Sequence, residues 1–274
     1  THTHIWLLHS VFLHSDKMRV VSARTFLLTL AFLTLPTIDG RACRKQEEWT
    51  PESLVNPEEL GHHFEGDIVL PLPLVARNGQ VLEQYYWPGG RVPYTIASSF
   101  PPDHKATVLE AMSEYTERTG HCIFFHERTT EPDFILFSFD NNQGCSSSVG
   151  RQGGMQRITY AESCFKKYGT VLHEMLHALG FYHEHTRYDR DKYVTIHWEN
   201  IKKNRNKNFQ IYVSVEESAF GEEYDYGSVL HYSAYAFSKN LKKTIVTKDP
   251  YAKIGQRKGL SPVDLQKLMN MYKC

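Results

Sequence analysis

His173, Glu174, His177 and His183 lie within a short stretch of this 274-residue chain, and their types and spacing describe a site for one metal ion and one water molecule. Four residues apart on a helix, His173 and His177 project from one face, close enough for both imidazoles to reach the same ion. Gly180 permits the sharp turn that a helix exit needs, and His183 then supplies a third nitrogen from another direction. Three neutral imidazoles with one position left open make a catalytic zinc site rather than a closed structural one. Glu174, beside the first ligand, would reach over the open position and accept a proton from water held there. His-Glu-x-x-His alone also arises by accident on ordinary amphipathic helices. Here it is extended by Gly180 and His183 and accompanied by a second informative segment, Tyr224 to Tyr232.

The extended pattern resembles the metzincin signature His-Glu-x-x-His-x-x-Gly-x-x-His. The run that follows, Glu184-His185-Thr186-Arg187-Tyr188-Asp189-Arg190-Asp191, resembles the extension that marks the astacin family of zinc endopeptidases. Trp87-Pro88-Gly89-Gly90 with Val92-Pro93-Tyr94 is similar to that family's mature N-terminal segment. Tyr224-Asp225-Tyr226-Gly227-Ser228-Val229 and His231-Tyr232 are similar to its second active-site loop. The resemblance covers about Phe64 to Cys274.

It implies an α+β metzincin fold with two subdomains either side of an active-site cleft. It further implies one zinc ion per chain on His173, His177 and His183, with Glu174 as general base. Tyr232 would ligate zinc in the resting enzyme and swing away to hydrogen-bond the tetrahedral intermediate, and Glu184 would meet the buried mature N-terminus. Phe64-Glu65-Gly66-Asp67-Ile68 resembles the family's pro-segment motif, which makes Asp67 the ligand of the latent form. A carboxylate is an acceptable zinc ligand, and occupying the open position excludes the water. Release would follow cleavage between Arg77 and Asn78 by a trypsin-like protease. Cys145-Ser146-Ser147-Ser148-Val149-Gly150 resembles the cleft-edge strand that pairs with substrate backbone, with serines where many relatives carry aromatic residues. Leu230 stands where the family's turn beneath the zinc has methionine. Leucine roughly conserves the volume, so the expected cost is under about 1.5 kcal/mol.

A chain with 41% hydrophobic residues can bury a sizeable core, and its formal net charge of zero gives no reason to expect a nucleic-acid partner. The basic run Lys202-Lys203-Asn204-Arg205-Asn206-Lys207 reads as a solvated helix face or loop. From Met18, the charges of Arg19 and Arg24 precede a short apolar stretch from Phe26 to Leu35, with Gly40-Arg41-Ala42 at a cleavage position: the pattern of a secretory signal peptide over 18–42. A membrane anchor would need about 20 consecutive apolar residues, more than this run offers. Residues 1–17 are read as upstream sequence foreign to the protein or as an extended leader, 43–77 as the pro-segment and 78–274 as one catalytic domain. A secreted monomer acting on protein or peptide substrates is expected.

Five cysteines in a secreted chain imply two bridges and one left over, and four cysteines allow three pairings. The family pattern joins Cys122 to Cys274 and Cys145 to Cys164, leaving Cys43. The longer bridge would remove on the order of 4 to 5 kcal/mol of unfolded-state entropy.

The elements that must position these groups follow from pattern. Arg91 to Ala97 and Asp133 to Phe139 read as strands. A helix starts at Pro101-Pro102-Asp103, with Asp103 as N-cap, and stops at Gly120. The active-site helix runs from about Tyr168 to Leu179 with Leu172, Leu176 and Leu179 on its buried face, and a last helix runs from Ser261-Pro262 to Met271 or Tyr272. Competing readings are an inactive binding protein on the same fold, a different metzincin and a structural matrix component. The intact set His173, Glu174, His177, His183 argues against the first, Tyr232 with Arg187 to Asp191 against the second, and the lack of repeats against the third.

Overall fold

Apolar, β-branched and aromatic residues alternate through Arg91–Ile96 (β1) and Phe134–Phe139 (β3), and both become inner strands of one sheet. The computed structural model describes residues 54–70, 83–211 and 219–274. The expected leader, Cys43 and the processing bond between Arg77 and Asn78 lie outside these residues. Three further strands complete the sheet: Phe124–Glu127 (β2), Ser146–Ser147 (β4) and Met155–Tyr160 (β5), in the order β2-β1-β3-β5-β4. Neighbouring strands run parallel except β4, which lies antiparallel to β5 with Ser146 opposite Thr159. The chain crosses from β1 to β2 through helix α1, Pro102–Arg118, as a parallel pair requires.

Helix α1 buries Val108, Ala111, Met112 and Tyr115, the spacing of one helical face. These pack in one core with Ile135, Phe137 and Ile158 of the sheet and with Leu172, Leu176 and Leu179 of helix α2 (Tyr168–Ala178) and its exit. Two buried tyrosines bind α2 from outside: the hydroxyl of Tyr115 donates to Leu172 O at 2.8 Å and that of Tyr160 to Val171 O at 2.9 Å. Gly169 is required where α2 begins, since a Cβ there would come within 2.3 Å of the Arg257 backbone.

After α2 the chain is mostly irregular. Val194–Ile196 (β6) and Ile245–Thr247 (β7) form an antiparallel pair over a second, smaller core containing Phe209, Tyr232 and Phe237. Helix α3, Pro262–Tyr272, starts from a reciprocal cap: Ser261 Oγ accepts from Asp264 N at 2.8 Å, and the Asp264 carboxylate accepts from Ser261 N at 2.9 Å. Disulfides join Cys122 to Cys274, 152 residues apart, and Cys145 to Cys164. The first ties the C-terminus behind α3 to the turn after α1; the second ties the entry to β4 to the turn before α2. The result is the expected α+β architecture, a sheet with two long helices followed by an irregular half. Among the described residues no helix is long and apolar enough to cross a membrane.

Several local expectations need correction. Asp103 is not the N-cap of α1. The helix starts at Pro102 with Pro101 in the cap position, so a residue without an amide proton and with its φ preset opens it, and Asp103 sits in the first turn. β3 starts at Phe134 because the Asp133 carboxylate turns aside to accept from Gly154 N at 2.6 Å and from Arg151 at 2.5 Å. Helix α2 buries every residue from Gly169 to Ala178 rather than one face, because residues 54–69 cover the side that the sheet leaves open.

Candidate active site

Helix α2 carries His173 and His177 on one face, and their rings meet edge to face at a centroid distance of 4.6 Å. Gly180, with φ at 123°, makes the turn that brings His183 back onto them. Each imidazole is held by its Nδ1. That of His173 donates to Val229 O at 2.8 Å, that of His177 to Phe181 O at 2.6 Å and that of His183 to Glu65 Oε2 at 2.6 Å. With the proton so assigned to Nδ1, the Nε2 atoms of His173 and His177 present lone pairs to the interior, and that of His183 does so once its second proton gives way to a cation. The Nε2 atoms of His173 and His177 stand 3.0 Å apart, where two lone pairs repel.

Asp67 enters the same point. Its Oδ2 lies 3.0 Å from His173 Nε2, 3.3 Å from His183 Nε2 and 3.8 Å from His177 Nε2. The four ligand atoms fall within 4.8 Å of one another, and all four residues are buried. Three inward imidazole nitrogens and a carboxylate oxygen are the donor set that zinc takes. Asp67 Oδ1 and both carboxylate oxygens of Glu174 are buried and have no hydrogen-bond partner among the described residues, so the pocket contains acceptors that a cation and a water would satisfy.

The electrostatics agree. Burial drives the Glu174 carboxyl well above the usual carboxylate range, and the charges of Asp67 and Glu58 push it further. Burial holds His173 down to about 4, helped by the positive charges of Arg257 and His177. His183 differs: burial opposes its protonation, but Asp67 and Glu65 outweigh it and carry His183 up to about 10. The pocket thus draws positive charge to the point where the imidazoles meet.

Around it lies the second segment. Tyr232 is fully buried, with its ring against that of His183 at 4.7 Å and stacked on that of His185 at 3.8 Å. Its hydroxyl donates to the backbone carbonyl of Glu65. Leu230 is buried in the turn beneath the histidines, and its carbonyl accepts from Glu184 N. The turn is fixed by Asp264 of α3, which accepts from Ser228 Oγ at 2.6 Å and from Val229 N at 2.9 Å. Ser228 Oγ in turn accepts from Leu230 N at 3.0 Å, so Asp264 holds, through Ser228, the residues on both sides of the Val229 carbonyl that orients His173.

The serines expected at the cleft edge are also engaged. Ser147 N donates to Asp67 O at 3.0 Å and Ser147 O accepts from Val69 N at 2.8 Å, so residues 67–69 lie along β4 with Ile68 parallel to Ser147. Ser146 and Ser148, like Ser147, are buried. Glu184 is already engaged: Lys267 Nζ lies 2.6 Å from it, Arg187 donates to it at 3.0 Å and Asp225 N at 2.9 Å. Lys267 reaches it from α3, a contact between positions 83 residues apart that no local pattern announces.

Sequence reasoning missed four more contributors: Glu65, Glu58, Glu59 and Arg257. Glu65 lies in the motif that was read for Asp67 alone, yet it orients His183. Glu58 and Glu59 sit in a polar stretch that reads as solvated, yet both are buried, Glu58 against Arg257 at 2.5 Å. A pair of adjacent glutamates carries no signal that distinguishes burial from exposure.

Comparison with known proteins agrees with this geometry. The curated protein zinc metalloproteinase nas-8 of Steinernema carpocapsae is 42% identical over 203 residues, covering 73% of this chain and 47% of that protein. Low choriolytic enzyme of Oryzias latipes is 37% identical over 230 residues, covering 80% of this chain and 81% of that protein. Among solved structures, High choriolytic enzyme 1, a hatching enzyme zinc-protease from Oryzias latipes, superposes with a TM-score of 0.64 at 36% identity, covering 70% of this chain and 96% of that one. The chain spans about half the length of the first curated relatives it matches, 47% and 56%. The model of the astacin peptidase family matches residues 80–273, which include all three histidines, Glu174 and Tyr232, and the chain belongs to that family.

Proposed function

We propose that this chain is a secreted zinc endopeptidase, made as a latent precursor, that hydrolyses internal peptide bonds of proteins. The observation that carries the reading is the convergence of three inward Nε2 atoms beside a buried, unpartnered Glu174 carboxylate. His173, His177 and His183 would hold one zinc ion. Bound zinc would supply Lewis acidity, polarising the scissile carbonyl and making a nearby water more acidic. Glu174 then takes the proton of the attacking water and passes it to the leaving amine. A carboxyl whose proton affinity is raised by burial suits a group that must both accept and return a proton near neutral pH. Residues 18–42 act as signal peptide, 43–77 as pro-segment and 78–274 as the catalytic domain, which works as a monomer.

Tyr232 is assigned to the developing oxyanion. In the precursor its hydroxyl is committed to Glu65 O, and loss of the pro-segment frees it to turn toward substrate. Tyr232→Phe keeps the ring and its stacking on His185. It is expected to lower turnover by roughly 10- to 1000-fold with little change in the Michaelis constant and none in zinc content. Unchanged turnover with full zinc would leave Tyr232 as packing alone.

Asp67 is assigned to latency, because its carboxylate takes the position that water needs and its backbone takes the β4 edge that substrate needs. A trypsin-like protease cutting between Arg77 and Asn78 removes both, and the new amine of Asn78 joins the Glu184 cluster by sharing it with Lys267. The unprocessed Asp67→Ala chain, incubated with a proteome-derived peptide library, should give measurable cuts at internal bonds where the unmutated precursor gives none. N-terminal sequencing of the processed form should begin at Asn78. A variant precursor as silent as its parent would assign the block to bulk and remove Asp67 from the site.

A further inference from the structure

We propose that residues 56–59 fill a second binding site on the catalytic domain, a site for a pair of carboxylates that holds the leading segment without help from the metal. The proposal rests on the reading of this segment as part of the pro-segment. It concerns how the segment is retained, not the reaction it blocks.

Glu58 is fully buried and accepts from Arg257 Nε at 2.5 Å on one oxygen and from Thr170 Oγ at 3.2 Å on the other. Arg257 is buried too and is built into the catalytic domain: its Nη1 donates to His231 O at 3.0 Å, and Gly169 packs on its backbone. Glu59 accepts from Ser233 N at 2.6 Å and from Ser233 Oγ at 2.7 Å, both on the residue that follows Tyr232. Asn56 closes the turn, donating to Glu59 Oε1 at 3.0 Å and to Gly255 O at 3.2 Å while accepting from Lys167 Nζ at 3.0 Å. None of these contacts passes through Asp67 or a histidine Nε2.

A buried guanidinium faced by a buried carboxylate is a matched pair. Taking away one member leaves the other charged in an apolar setting, which opposes undocking far more than loss of a surface ion pair would. The turn itself is closed by backbone bonds from Glu59 N to Asn56 O and from Gly61 N to Glu58 O, so it docks as a preformed unit. Two separate grips follow. Asp67 depends on the metal, whereas Glu58 and Glu59 depend on Arg257 and Ser233. Because Glu59 holds the peptide next to Tyr232, the second grip also keeps that residue in its precursor position.

Hydrogen exchange on the full-length precursor, read by mass spectrometry after complete removal of metal with a chelator, tests this directly. The amides of Glu59 and Gly61 should stay protected by at least about 10-fold in the chelated protein and in Asp67→Ala, while those around Phe64 to Ile68 exchange faster. The Glu58→Gln, Glu59→Gln chain should lose the protection at 59–61 under chelation, with amides of α1 and α3 unchanged. Should the double variant also loosen α1 and α3, Ser233→Ala, which removes one hydroxyl, should still lower protection at 59–61. Release of 59–61 by chelation alone, or equal protection in parent and both variants, overturns the proposal. Neither result depends on proteolytic activity, so failure here leaves the peptidase assignment standing, and failure of that assignment leaves this one measurable.

Discussion

Glu174→Gln, made in the processed chain, is expected to retain zinc near one ion per molecule while peptide hydrolysis falls by several orders of magnitude. The substitution is nearly isosteric. It leaves the ring nitrogens, their Nδ1 bonds to Val229 and Phe181 and the packing of α2 as they are. What disappears is the only function a neutral amide cannot perform, taking a proton from water and giving it to the departing amine. Since Glu174 accepts no hydrogen bond among the described residues, its replacement breaks none there, and stability should change little. Turnover, metal content and thermal midpoint measured together separate the cases. Substantial residual turnover would sink the assignment of the base. A binding protein on this fold would be indifferent to the change, so the same variant distinguishes enzyme from binding module.

Much of the site was legible because it is local. His173, Glu174 and His177 are set by helical spacing, and Gly180 with its φ of 123° makes the bend that returns His183, so types and intervals sufficed to group them. The strands β1 and β3 and the helices α2 and α3 were legible from local signals, β-branched and aromatic runs in the strands and the residues that start and end the helices. What was not legible is held across long separations. The Asp264 carboxylate holds Ser228 and the Val229 amide in the turn behind His173, and Lys267 neutralises Glu184; each depends on how α3 packs, which periodicity does not specify. The burial of Glu58 and Glu59 was hidden by their chemistry, since charged residues are almost always exposed and only a partner such as Arg257, distant in sequence, reverses the expectation. The all-round burial of α2 belongs to the same class: the segment that covers it lies more than a hundred residues away in the chain.

Hydrolysis through one zinc held by His173, His177 and His183, as proposed, makes activity depend wholly on the metal. Metal removal has the largest expected effect of any perturbation, because it takes away the group that polarises the scissile carbonyl and acidifies the water, and no residue in the pocket replaces either function. The measurement is a zinc titration of the processed chain. After exhaustive chelation, hydrolysis of a peptide library should fall below detection, and added zinc should restore it linearly to a break at one equivalent per chain. The disulfides joining Cys122 to Cys274 and Cys145 to Cys164 should keep the fold intact meanwhile, so that the loss reports chemistry and not unfolding. Full recovery at one equivalent is the predicted result; hydrolysis that persists in fully metal-free protein would contradict the account.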